Sequence, residues 1–121
     1  MSQTILAVDD SPSMRRMVAH VLREGGYNVL EAEDGDQALR IARSQRVDAV
    51  LTDQNMPRMD GLSLVRCLRS LEEYARTPIM LLTTESSPEM KQKGRDAGAT
   101  GWMVKPFDPE RLLQMFARLF G

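Results

Sequence analysis

Apolar and polar positions along the chain fall into blocks of two kinds. Short apolar runs of strand length occupy 4–8 (TILAV), 28–32 (NVLEA), 47–52 (VDAVLT), 78–83 (PIMLLT) and 101–105 (GWMVK), each bounded by acids, Gly or Pro. Between them the apolar spacing changes to that of helices. In 12–24, Met14, Val18, Val21 and Leu22 share one face; Ser11–Pro12 is a start signal and Gly25–Gly26 a stop. In 35–44, Ala38, Leu39, Ile41 and Ala42 form the apolar side, with Asp34 and Gln37 spaced as a capping box. Leu64, Val65, Leu68 and Leu71 line up in 62–71. Leu112, Leu113, Phe116, Leu119 and Phe120 line up in 109–120, behind Asp108–Pro109.

The segment 88–97 (PEMKQKGRDA) departs from this pattern. Ser86 and Glu89 are spaced as a capping box and Pro88 suits a first turn. Only Met90 and Ala97 are apolar, however, and Gly94 costs roughly 1 kcal/mol against Ala in a helix interior. The pattern predicts a helix of low local stability. Five strands alternating with five helices imply a parallel sheet covered on both faces. A chain this short suits the doubly wound, flavodoxin-like order 2-1-3-4-5, in which ligands sit beyond the carboxyl ends of strands 1 and 3.

Composition narrows the function classes. The 121 residues fit one domain, and 42 % hydrophobic with 27 % charged residues is ordinary for a globular protein. A formal net charge of −1 gives no support for a basic nucleic-acid surface. The single cysteine, Cys67, excludes an internal disulfide, and no Cys/His cluster has zinc spacing. The N-terminus reaches acids too soon for a signal peptide, and no run approaches the ~18 apolar residues of a membrane helix. A reduced, cytoplasmic protein without direct nucleic-acid or membrane contact is expected.

The strand ends carry the chemistry. Strand 1 ends in Asp9–Asp10, strand 3 in Asp53, strand 4 in Thr83–Thr84 and strand 5 in Lys105–Pro106. The topology brings three carboxylates, a hydroxyl and an ammonium to one rim. Clustered acids repel and desolvate at a cost, so Lys105 and a hard divalent cation such as Mg²⁺ are the candidate compensators. Helix N-termini beside them favour an anion. Together these groups describe a phosphoryl site with Asp53 as nucleophile. Any one of the acids alone is better read as a helix cap, and Asp60 before Gly61 is read that way.

The motifs ILAVDDSPSMRRMV, LTDQNMPRMDG, LLTTE and GWMVKPF resemble, in order and spacing, those of the receiver domains of two-component response regulators. The resemblance covers essentially the whole chain, 1–121, as a single domain with no output domain. It lies nearest to single-domain chemotaxis regulators of the CheY type. It implies that Asp53 is the phosphoacceptor. Asp10 and Asp53 would ligate Mg²⁺, with Asp9 acting through metal-bound water and Asn55 through its carbonyl. Thr83 would hydrogen-bond the phosphoryl group, Lys105 would pair with it, and Lys105–Pro106 would be cis. Trp102 occupies the switch-aromatic position, where Tyr or Phe is commoner. Asn55 and Glu85 occupy the positions that tune dephosphorylation. Thr84 stands where Ala or Gly is frequent and is expected to slow hydrolysis by restricting access.

The implied partners are a histidine kinase, a dephosphorylating phosphatase and an output protein such as a flagellar motor switch component. The output protein would be read by the face of 88–97, 101–105 and 109–120. A phosphate sink or phosphorelay intermediate shares every one of these residues. A haloacid dehalogenase-type phosphatase would want a D-x-D pair where this chain has VDDS. A flavodoxin-like cofactor site would want a phosphate loop where DDSPSM places two acids. His20 is expected to be solvated, Cys67 to be a partly buried hydrophobe, and most methionines, such as Met14 and Met80, to be core packing.

Overall fold

The computed structural model describes residues 2–121. Five strands, β1 (Thr4–Val8), β2 (Asn28–Ala32), β3 (Ala49–Asp53), β4 (Ile79–Thr83) and β5 (Gly101–Val104), pair in parallel in the order β2-β1-β3-β4-β5. The helices are α1 (Pro12–Glu24), α2 (Gly35–Ser44), α3 (Gly61–Arg69), α4 (Pro88–Ala97) and α5 (Pro109–Phe120). The central strands β3 and β4 are buried at every position, so they read as continuous apolar runs rather than alternating ones.

Side-chain alternation divides the core into two layers. Leu6, Val8, Val50, Ile79 and Leu81 face α2, α3 and α4, whereas Ile5, Ala7, Leu51, Met80 and Leu82 face α1 and α5. In the second layer Tyr27, Phe116 and Phe120 pack ring against ring, with centroids 5.5–6.3 Å apart.

The element ends show where local signals were overridden. β3 begins two residues later than its apolar pattern predicts and takes in Asp53, while β5 stops before Lys105. α3 runs 61–69 instead of 62–71, because a 3-10 turn, Glu72–Tyr74, follows it. Ser11 caps α1 and Asp60 caps α3 as read from the sequence. The α4 cap is Ser87, not Ser86: Ser87 Oγ accepts from the Met90 N–H, which places Pro88 at the first helical position. At α2, Asp34 accepts from the Gln37 N–H, but Gln37 returns its bond to the Glu33 N–H rather than to Asp34. His20 is exposed beside Glu24, and Cys67 is half-buried against the α3 layer. Met80 lies in the core and Met14 packs against it, while Met17 is exposed.

Two polar side chains tie the layers together. The Tyr74 hydroxyl is buried, donates to the Ala42 carbonyl at 2.6 Å and accepts from the Val47 N–H at 3.4 Å, so it joins α2 to the segment that leads into β3. Arg69, at the end of α3, donates to the Tyr74 carbonyl (2.7 Å), the Gly98 carbonyl (2.9 Å) and Thr100 Oγ1 (3.3 Å). Gly98 terminates α4 with φ of 102°, a conformation open to glycine, and a Cβ there would press on the Arg69 side chain at 2.9 Å. Tyr74→Phe leaves the Val47 N–H and the Ala42 carbonyl without their buried partner. It should destabilise the domain by about 1–3 kcal/mol, read as a lower urea midpoint with an unchanged slope.

Candidate functional site

β1 and β3 are neighbours in register, with Val8 opposite Thr52, so the next residues, Asp9 and Asp53, emerge side by side at the carboxyl rim. Asp9 Oδ1 accepts the Ser11 N–H at 2.9 Å, and its carbonyl accepts Arg15 Nη1 at 2.8 Å. Arg15 is itself held by Glu31 at 3.5 Å. Asp9 and Asp53 are each only 4 % exposed, while Asp10 faces solvent. The three carboxylates bring one oxygen apiece within 4.8 Å of one another.

Lys105 reaches this cluster from the end of β5. Its N–H donates to the Thr83 carbonyl at 2.8 Å and its peptide bond to Pro106 is cis, as expected from the sequence. Its Nζ stands 2.7 Å from Asp53 Oδ1 and 3.8 Å from Asp9 Oδ2. The closer contact is an ion pair by distance but is out of line for a hydrogen bond. Asp53 Oδ1 and Asp9 Oδ2 therefore both remain buried without a hydrogen-bond partner. Burial pushes the Asp9 carboxyl above its ordinary range. The Ser11 N–H and Lys105 pull it back, and the charges of Asp53 and Asp10 add to the rise.

Three carboxylates against one ammonium leave negative charge unmatched in a poorly hydrated place. Hard oxygen donors with buried, unsatisfied lone pairs suit a divalent cation such as Mg²⁺. Asp9, Asp10 and Asp53 are the side chains able to hold it. Asn55 sits exposed at the start of the β3–α3 loop, two residues beyond Asp53.

The other residues singled out from the sequence line the same rim without all meeting. Thr83 is buried at the end of β4, and its hydroxyl accepts the Glu85 N–H at 3.1 Å. Thr84 and Glu85 are exposed. Trp102 is half-buried in β5, opposite Leu81 in register. Thr83 pairs with Val104, so Thr83 and Trp102 lie on one face of the sheet as diagonal neighbours.

Gln54 was not singled out by its sequence, yet it fixes the loop beneath Asp53. It is buried, its Oε1 accepts the Leu62 N–H at 2.8 Å, and its Nε2 reaches Asp60 at 3.4 Å. Gly61 completes this packing, since a Cβ there would lie 2.6 Å from the Asp53 carbonyl. A polar residue beside a candidate nucleophile was the one available hint.

The raised Asp9 pKa has a defined sign. A carboxyl whose folded-state pKa lies above its unfolded value favours folding at low pH, and that contribution is lost as pH rises through the folded pKa. At neutral pH the ionised Asp9 therefore opposes folding. Asp9→Asn should raise the melting temperature at pH 7 in the presence of a chelator, and the gain should shrink toward zero below about pH 4. Added Mg²⁺ should stabilise the wild type more than the variant.

Residues 5–117 match the response regulator receiver domain family. The chain is 42 % identical over 101 residues to the gliding motility regulatory protein of Myxococcus xanthus, covering 84 % of this chain and 13 % of that one. It is 37 % identical over 117 residues to the chemotaxis protein CheY of Pseudomonas aeruginosa, covering 96 % and 94 % of the two chains. Among solved structures it is similar to the chemotaxis protein CheY4 of Vibrio cholerae, with a TM-score of 0.95 at 50 % identity over 98 % of both chains. It is also similar to the receiver domain of a sensor histidine kinase from Pseudomonas aeruginosa, which was solved with a magnesium ion coordinated in its active site cleft. There the TM-score is 0.89 at 36 % identity, over 98 % of this chain and 97 % of that one. With this sheet order, this acidic rim and these relatives, the chain belongs to the response regulator receiver domain family.

Proposed function

We propose that this response regulator accepts a phosphoryl group on Asp53 from a phosphohistidine of a partner kinase and thereby changes its affinity for an output protein. The observation that carries the reading is Lys105 Nζ held 2.7 Å from the Asp53 carboxylate inside the three-acid cluster. An Asp53 oxygen attacks phosphorus in line, the phosphorus–nitrogen bond to histidine breaks, and the bonding pair leaves with the imidazole. Asp9, Asp10, Asp53 and the Asn55 carbonyl would hold Mg²⁺, which would supply charge neutralisation for the transferring oxygens. Lys105 then pairs with a phosphoryl oxygen rather than with the bare carboxylate.

Thr83 supplies the link to the surface. Its hydroxyl leaves the Glu85 N–H for the phosphoryl group, which vacates space beside its diagonal neighbour Trp102. Trp102 turns inward, and the face of α4, β5 and α5 (residues 88–97, 101–105 and 109–120) alters. A few kcal/mol of differential contact is enough to move such an equilibrium. The named relatives, one a chemotaxis protein and one a gliding motility regulator, support a motility apparatus as the output, with a flagellar motor switch as its simplest form. Asn55 and Glu85 are exposed at the rim, where they set the hydrolysis rate and meet any dephosphorylating partner. The proposal places the domain in the cytoplasm beside its kinase. No helix among the described residues is long and apolar enough to cross a membrane.

The test uses acetyl phosphate with Mg²⁺, reading intact mass and the emission of the single tryptophan, Trp102. Wild type should gain one phosphoryl group and change its emission. Asp53→Asn, or wild type with the metal chelated, should do neither. Lys105→Gln should slow phosphorylation by roughly a hundredfold or more. Equal phosphoryl incorporation by wild type and Asp53→Asn would overturn the assignment.

A further inference from the structure

Helix α4 meets Trp102 with three residues of one helical face, Lys91, Gly94 and Arg95, spaced i, i+3 and i+4. Lys91 Nζ lies 5.6 Å from the Trp102 ring centroid and Arg95 Cζ 5.8 Å from it. Both are within cation–π range of one indole, the aromatic ring with the strongest such attraction. The Arg95 guanidinium is also fixed from its own helix: it donates to Gln92 Oε1 at 3.1 Å, and Gln92 in turn donates to Asp96 at 2.8 Å. Two positive charges thus lie within cation–π range of one ring.

Gly94 faces the same ring from below. A Cβ there would stand 3.5 Å from Leu81 Cδ1 and 3.9 Å from Trp102 Cε3, ordinary contact distances. Alanine would therefore fit the present arrangement and favour the helix. The φ of Gly94 is not left-handed, so the backbone does not demand glycine either. What the glycine provides is a methyl-sized space between α4 and the sheet, beside the indole and on the side of Leu81.

We propose that Lys91, Arg95 and Gly94 form a clasp that sets the balance between the outward and inward positions of Trp102, and hence the threshold of the switch. The inference rests on reading Trp102 as the moving aromatic and adds the residues of this chain that oppose its movement. Each cation–π contact must break before the ring turns inward, so each biases the resting domain toward the outward state. These are positioning residues: none touches the phosphoryl site.

The experiment titrates the full chain with beryllofluoride and Mg²⁺, beryllofluoride serving as an aspartyl-phosphate mimic. The apparent affinity is read from the ¹⁹F signal of 5-fluorotryptophan at position 102. A clasp that opposes the inward state must weaken apparent binding of the mimic. Lys91→Gln and Arg95→Gln should each tighten it by about 2- to 5-fold, and the double variant by more. The Lys91→Arg/Arg95→Lys exchange should restore wild-type behaviour. Gly94→Ala should raise the melting temperature yet weaken apparent binding several-fold, a combination that loss of folding does not produce. If wild type responds and the Lys91→Gln/Arg95→Gln variant binds no more tightly, the clasp is overturned while the phosphoryl reading stands. If wild type itself shows no response, the switch reading falls and the clasp with it.

Discussion

Two nearly buried carboxylates share one ammonium, and the rest of the molecule is arranged around that imbalance. Asp9 and Asp53 are taken out of water at the rim of the sheet, where Lys105 can answer only part of their charge. Such a group of charges would scatter on a flexible loop. It persists because β1 and β3 are adjacent, parallel and buried, and because Gln54 and Gly61 close the backbone behind Asp53. The stability given up at the rim is recovered from the apolar layers beneath it, the usual compensation for a strained site.

The same sheet carries a firm side and a loose side. Around Asp53 the loop into α3 is pinned by the Asp60 cap, by buried Met56 and by Met59 packed against the core. Chemistry that needs fixed oxygens is placed there. One sheet position further along, α4 buries only Gly94 and Ala97, although Met90 and Trp102 lie partly against the core. Few buried apolar contacts mean a low free energy of local opening. The helix we propose to respond to phosphorylation therefore has little apolar burial of its own.

Much of this was legible in the sequence because it rested on strong local rules. Apolar runs that alternate with 3.6-residue patterns admit few topologies, and the topology alone brings Asp9, Asp10, Asp53 and Lys105 to one edge. The polarity of 88–97 likewise announced a weakly packed helix. Long-range side-chain bonds left no comparable trace. Tyr74 reaches a carbonyl 32 residues away, and the Arg69 partners Gly98 and Thr100 lie 29 and 31 residues on. No periodicity encodes such pairs. The cap at Ser87 instead of Ser86 shows a different shortfall. Two adjacent serines offer the same chemistry, and the extended backbone that a residue before proline adopts, ψ of 153° at Ser87, decides between them.

Arg69 gives α4 mechanical asymmetry. Its guanidinium grips the Gly98 carbonyl and the Thr100 hydroxyl just past the C-terminal end of the helix, and fastens them to the end of α3. At the N-terminal end the Ser87 cap closes the first turn from within the helix itself, and Lys91, in the next turn, lies over Trp102. A rod held at one end moves as a lever rather than as a sliding piston. Its ten residues span about 15 Å, so a small rotation at the fulcrum becomes its largest displacement near Pro88 and almost none near Ala97. A surface that reads the near end of that lever would feel little; one that reads the far end would feel the whole stroke.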